Sequence, residues 1–108
     1  MESKMINKIP SGPTPVFHVS QGDVGRRLDL ELYDGMERDS APAGSAVRIR
    51  YRRQDGSISS FGINLGYTAE TIYAMLPEDV ATVPGFIYCK MTINGIGYKA
   101  FFIEVEGR

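Results

Sequence analysis

Apolar and polar residues alternate along most of this chain, and that alternation predicts its structure. In Arg27-Leu28-Asp29-Leu30-Glu31-Leu32-Tyr33 every second residue is a leucine. A strand sends successive side chains to opposite faces, so the leucines share one face and Asp29 and Glu31 the other. Val47-Arg48-Ile49-Arg50-Tyr51-Arg52 repeats the arrangement with arginines outward. Helical spacing would scatter either set around a cylinder. Arg53-Gln54-Asp55-Gly56-Ser57 follows, and its Asp-Gly pair suits the positive φ of a tight turn. It predicts a hairpin of Val47–Arg53 against Ser57–Leu65, with Phe61, Ile63 and Leu65 on one face. Thr71–Leu76 reads as a further strand, with Ile72, Ala74 and Leu76 aligned. Phe86–Asn94 and Gly97–Glu106 form a closing pair through Asn94-Gly95-Ile96-Gly97. In that pair Ile87, Cys89, Met91 and Ile93 make one inward face, and Phe101, Ile103 and Val105 the other.

One segment departs from this period. Leu76-Pro77-Glu78-Asp79-Val80-Ala81 places a proline and two acids where a helix begins, and Pro84-Gly85 stops it. A single short helical turn, plugging one end of the fold, is expected there. Residues 1–15 hold Pro10, Gly12, Pro13 and Pro15 and read as an extended, flexible lead-in. The domain proper is then expected over residues 16–108, with Val16–Ser20 as its leading strand. About seven strands at this spacing predict an all-β fold, an Ig-like antiparallel β-sandwich. A small open barrel gives a similar pattern and is the alternative.

The length of 108 residues fits one domain, which buries roughly two-thirds of its extended surface on folding. Twelve basic and thirteen acidic residues leave a net charge of -1, so no long-range field attracts nucleic acid or anionic lipid. No stretch approaches the roughly 20 apolar residues of a membrane helix. The polar opening Met1-Glu2-Ser3-Lys4-Met5-Ile6 lacks the apolar run of a secretory signal, so synthesis in a reducing cytoplasm is expected.

Candidate chemistry is sparse. His18, the only histidine, should point away from the core, with no nucleophile or orienting carboxylate near it in the chain. Cys89, the only cysteine, falls on an inward face, where a thiol acts as a small apolar residue. Two such ligands cannot build a structural zinc site, which takes four. Asp29 and Glu31 alternate with leucines as a solvated strand face does. Arg48, Arg50, Arg52 and Arg53 form the strongest charge cluster, either a solvated stripe balanced by Asp29 and Glu31 or a docking surface. Gly22, Gly25, Gly95 and Gly97 read as turn residues, because no phosphate-binding loop surrounds them. No catalytic residue, cofactor or metal site is predicted. What remains is Tyr33, Tyr73, Met75, Phe86, Tyr88 and Phe102, out of register with the core sets and therefore outward. Exposed aromatics and arginines mark protein interfaces. The candidate interface is Arg48, Arg50, Arg52, Tyr73, Met75, Tyr88 and Phe102.

The order of these features resembles a known family. Val16-Phe17-His18-Val19-Ser20-Gln21-Gly22-Asp23, followed by alternating Leu28–Tyr33 and Asp34-Gly35, is similar to the start of the N-terminal domain of phage upper baseplate proteins. These belong to tailed phages and prophages of Gram-positive bacteria. Val47–Arg53 closed by Asp55-Gly56, Leu76-Pro77-Glu78-Asp79, Val83-Pro84-Gly85 and the closing hairpin extend the likeness to about Val105. The resemblance implies a non-enzymatic part of the virion tail or baseplate, made in the bacterial cytoplasm. It also implies other phage baseplate or tail proteins as partners, with no nucleic acid and no membrane. Such a part docks on the tail tip and anchors a host receptor-binding device. Longer members trimerise through a following region, so a homo-oligomer is a further expectation; this chain, stopping at Glu106-Gly107-Arg108, reads as an excised domain or a short version. The competing function is a carbohydrate-binding or adhesin-like sandwich that touches the host surface itself.

Overall fold

The computed structural model describes residues 2–10, 12–41, 45–53, 56–62, 71–77 and 80–107. They form ten strands: β1 (Glu2–Asn7), β2 (Val16–Ser20), β3 (Arg27–Asp34), β4 (Glu37–Arg38), β5 (Val47–Arg52), β6 (Ile58–Gly62), β7 (Thr71–Met75), β8 (Gly85–Ile93), β9 (Ile96–Gly97) and β10 (Phe101–Glu106). In sheet A, β3 is central, with β1 on one side and β7 and β4 paired elsewhere along it. Sheet B runs β2-β10-β8-β5-β6, with β9 folded back on β8. The two sheets enclose one core.

Alternation and register together build that core. Leu28, Leu30 and Leu32 of β3 are buried beside Ala74 and Ile72 of β7, with Leu28 opposite Ala74 and Leu30 opposite Ile72. Across sheet B the rows run Tyr51–Cys89–Phe101 and Ile49–Met91, all buried. Phe17 of β2 lies beside Ile103 and meets the Phe101 ring edge-on, with centroids 5.6 Å apart. The Ig-like expectation holds in its sheet order: a parallel edge strand beside the last strand, then the central pair, then a hairpin. Antibody domains tie their sheets with a disulfide. Here Cys89 is the only cysteine and β3 offers leucines, so core packing, with hydrogen bonds between the connecting segments, holds the sheets together without a covalent tie.

The structure differs from expectation in three places. First, the sheets are not wholly antiparallel: β1 pairs with β3 and β2 with β10, both parallel. Parallel pairing needs a long crossover, and each of these pairs has one, since the chain visits the other sheet in between.

Second, the stretch read as a lead-in contributes β1, which buries Ile6 completely. Its neighbour Met5 is exposed, so β1 shows no long apolar alternation; main-chain pairing and side-chain clamps place it instead. The Asn7 amide donates to the Gly35 carbonyl (2.8 Å) while its oxygen accepts from the Gly35 N–H (2.9 Å). The Lys99 N–H donates to the Asn7 carbonyl (2.7 Å), and the Lys99 ammonium donates to the carbonyls of Gly12 and of Pro13 (3.1 Å).

Third, no helix occurs among the described residues. Glu78 and Asp79 lie outside them, and Val80–Thr82 form a turn in which Val80 and Ala81 are buried, with Gly22 N–H donating to the Ala81 carbonyl (2.7 Å). Ile63 and Leu65 of the expected hairpin face, and Asp55 of its turn, also lie outside the described residues. The β8–β9 turn is as expected: Asn94 and Gly95 both take positive φ, 51° and 82°, as a type I′ hairpin requires.

Tyr98, between β9 and β10, is buried, and its hydroxyl donates to the Asp39 carboxylate. Lys8 stands 3.1 Å from the same carboxylate. This knot joins the segments after β1, after β4 and before β10. The Tyr98 hydrogen bond is the main reason the Asp39 carboxyl sits below its ordinary 3.8. Burial first, then Asp39, pushes Tyr98 above its ordinary 10.0. The depressed Asp39 group stabilises the fold above pH 3.8, and that contribution is lost as pH falls through its lower folded value. The raised Tyr98 group stabilises below pH 10.0, and its contribution is lost as pH rises through its folded value. Tyr98→Phe should therefore cost about 1–3 kcal/mol in urea unfolding at neutral pH. The deficit should shrink once the pH is below the Asp39 range.

Candidate docking face

The outward positions of sheet B form one continuous face. From β5 come Arg48, Arg50 and Arg52, all exposed. From β8 come Phe86, Tyr88, Lys90 and Thr92; from β10, Phe102, Glu104 and Glu106; from β2, His18. Ile58 of β6 lies opposite Arg52 and is 59% exposed. Register makes Phe102–Tyr88–Arg52–Ile58 one row across the sheet. Arg50 and Lys90 share the next row and Arg48 and Thr92 the one beyond; Glu104 and Phe86 lie on the opposite side.

At the centre the aromatic rings touch edge to face. Phe86 and Phe102 have centroids 6.1 Å apart with planes at 87°, and Tyr88 and Phe102 stand 5.7 Å apart at 73°. Phe86 is 55% exposed, so the cluster is not a core that happens to reach the surface. The Arg52 guanidinium lies 5.3 Å from the Tyr88 ring centroid, within cation–π range. Beside it a shallow cavity of about 270 Å³ is lined by residues including Arg50, Arg52, Ile58, Tyr88 and Lys90.

The sequence-predicted interface residues do not all fall here. Arg48, Arg50, Arg52, Tyr88 and Phe102 come together on this face. Tyr73 and Met75 belong to β7 and lie on the outside of sheet A, on the far side of the sandwich. There the Arg27 guanidinium stacks 3.7 Å from the Tyr73 ring centroid, and its Nε donates to Asp29 at 2.7 Å. Asp29 is only 9% exposed under this cover, and so is not the solvated carboxylate expected. Glu31 accepts from Ser3 and pairs with Arg38 at 3.4 Å. Neither acid balances the arginines of β5, because they occupy different sheets.

Phe86, Ile58 and Lys90 complete the face; alternation along β8 already puts Lys90 on the side of Tyr88, whereas Ile58 joins through the register of β6 against β5. His18 points outward as expected, but it has carboxylate neighbours: Glu104 at 3.0 Å and Glu106 at 3.6 Å from Nδ1. Ligand atoms of these three residues lie within 4.8 Å of one another. They form a surface cluster at the β2–β10 margin. A larger cleft of about 770 Å³ lies between β1 and the segment leading into β2. Its Glu31 and Lys99 already serve the contacts described above.

No family model matches the sequence, and no curated protein matches it. Among solved structures, the N-terminal domain of phage TP901-1 ORF48 aligns with a TM-score of 0.72 at 12% identity, covering 98% of this chain and 99% of that one. The ZIG-8–RIG-5 IG1–IG1 heterodimer aligns at 0.44 with 14% identity over 90% of this chain and 86% of that one. The ZIG-8 IG1 homodimer aligns at 0.45 with 15% identity over 88% and 81%. The first likeness runs through nearly the whole chain. The phage resemblance read from the sequence and the three-dimensional match thus meet on the same fold.

Cys89 is inward on β8, and burial pushes its thiol up to about 12. A nucleophilic cysteine needs the opposite shift and access to solvent. Maleimide should label Cys89 in the folded protein at least about a hundredfold more slowly than in denaturant, as mass spectrometry would show. Rapid native labelling would place the thiol outside the core.

Proposed function

We propose that this chain is a structural docking module of a phage or prophage tail, which binds other baseplate proteins and anchors a host receptor-binding device in the virion. The observation that carries the reading is the end-to-end likeness to a phage N-terminal domain, 98% of one chain on 99% of the other. The surface supports it. Two outward patches of aromatic and arginine character lie on opposite sides of the sandwich, as suits a part held between neighbours. A structural role agrees with a thiol that is buried in the core rather than presented to a substrate.

Sugar binding fits the surface less well. A pyranose stacks on a flat ring, whereas Phe86, Tyr88 and Phe102 present edges to one another and Tyr73 is covered by Arg27. A glycan array is expected to show no binding that depends on Tyr73 or Tyr88.

Mixed with purified tail-tip and baseplate proteins of its own phage, the chain should form a complex at micromolar concentration, seen by co-elution in size exclusion. Failure to associate with any of them at that concentration overturns the reading.

A further inference from the structure

We propose that His18, Glu104 and Glu106 bind a divalent cation of the zinc class on the outer face of sheet B, where β2 meets β10. The chain has one histidine and one cysteine, so those residue types alone cannot build a zinc centre. Carboxylates widen the choice. Zinc also accepts Asp and Glu oxygens, and three protein ligands with an open fourth position make a recurrent centre.

Register assembles the three donors. β2 and β10 run parallel, with His18 directly opposite Glu104 and Ser20 opposite Glu106. Glu104 and Glu106 are two residues apart on one strand, so both side chains leave the sheet on the side that His18 takes. His18 Nδ1 then lies 3.0 Å from a Glu104 oxygen and 3.6 Å from a Glu106 oxygen. Ligand atoms of the three residues all fall within 4.8 Å of one another.

Those spacings are close to the ones a metal imposes. Zinc sits about 2.0–2.2 Å from nitrogen and oxygen donors, so in a tetrahedron the donors stand about 3.3–3.5 Å apart. The two imidazole-to-carboxylate distances bracket that value. Rotation about the glutamate side chains closes the remaining edge.

Charge favours the same occupant. β2 and β10 contain no lysine or arginine. On the side of β8, register sets Phe86 beside Glu104 rather than a cation. Two carboxylates drawn this close repel each other. A dication meets both and takes the Nδ1 lone pair, leaving the ring proton on Nε2. The imidazole decides the class of metal: calcium and magnesium prefer shells made of oxygen, whereas a nitrogen donor suits zinc and its neighbours. Because the donors come from two strands, the bound ion also fastens the edge strand β2 to β10. The site stands apart from the docking role, and the test of either leaves the other undecided.

The test titrates zinc chloride into the full, untagged chain by isothermal titration calorimetry, with the chain at about 100 µM. One zinc per chain should bind, with a Kd between about 1 and 100 µM. Calcium and magnesium chloride should not compete at equal concentration. His18→Ala and Glu104→Gln should each weaken zinc binding by about tenfold or more. Nuclear magnetic resonance gives a readout that needs no variant. His18 is the sole histidine, so the imidazole nitrogen signals of the wild type can belong only to it. Zinc should shift the Nδ1 signal and leave Nε2 as the protonated nitrogen. No zinc binding by the wild type overturns the proposal. So does binding that leaves the imidazole signals unmoved, or binding that both variants retain at full affinity.

Discussion

Two sheets must fill one interior from alternate positions, with no disulfide to hold them at the right offset. Everything else in the molecule follows from satisfying that requirement by register. Leu28, Leu30 and Leu32 can face Ile87, Cys89 and Met91 only if neither β3 nor β8 slips, since a slip of one residue turns every side chain over. The restraints on slippage lie at the strand ends. Asn94 and Gly95 set the β8–β9 offset, Asn7 locks β1 to the Gly35 turn, and Tyr98 ties the strand before it to Asp39. Once the inward positions are assigned, the composition of both outer faces has no further freedom. The aromatic ridge and the arginine stripe are what the sequence puts at the complementary positions.

The parts of the fold legible in the sequence are those where one strand announces itself. The leucines of β3, the arginine-alternating β5, Ile72 and Ala74 of β7 and both closing strands follow from period two. What the sequence could not show depends on which strand lies beside which. Among its described side chains β1 buries Ile6 alone, and the strand is recruited by parallel hydrogen bonding that leaves no pattern behind. The two-residue β9 is a product of its turn, and Tyr98 is buried by the chain's path after it.

The same limit divides the candidate interface. Arg48, Arg50, Arg52, Tyr88 and Phe102 read as outward from alternation, and they share a face because β5, β8 and β10 are neighbours. Tyr73 and Met75 read as outward on equal grounds, yet β7 belongs to the other sheet. Facing direction is local information, while membership of a sheet is a long-range property. For the same reason Asp29 reads as a counter-charge to the arginines of β5, whereas Arg27 holds it. The carboxylates beside His18 come from β10, more than eighty positions later in the chain, and only the parallel register of β2 with β10 brings them there.

That parallel pairing of β2 with β10 also has a mechanical meaning. Tension applied ahead of β2 and after β10 draws the two strands in opposite directions along their own axes. The hydrogen bonds from Val16–Phe102 to Ser20–Glu106 then share the load together, so they must rupture in shear as a group. An antiparallel pair of terminal strands under the same pull would open from one end, bond by bond. Loaded between those two points, with β1 outside the path of the force, this edge of sheet B resists separation as a unit.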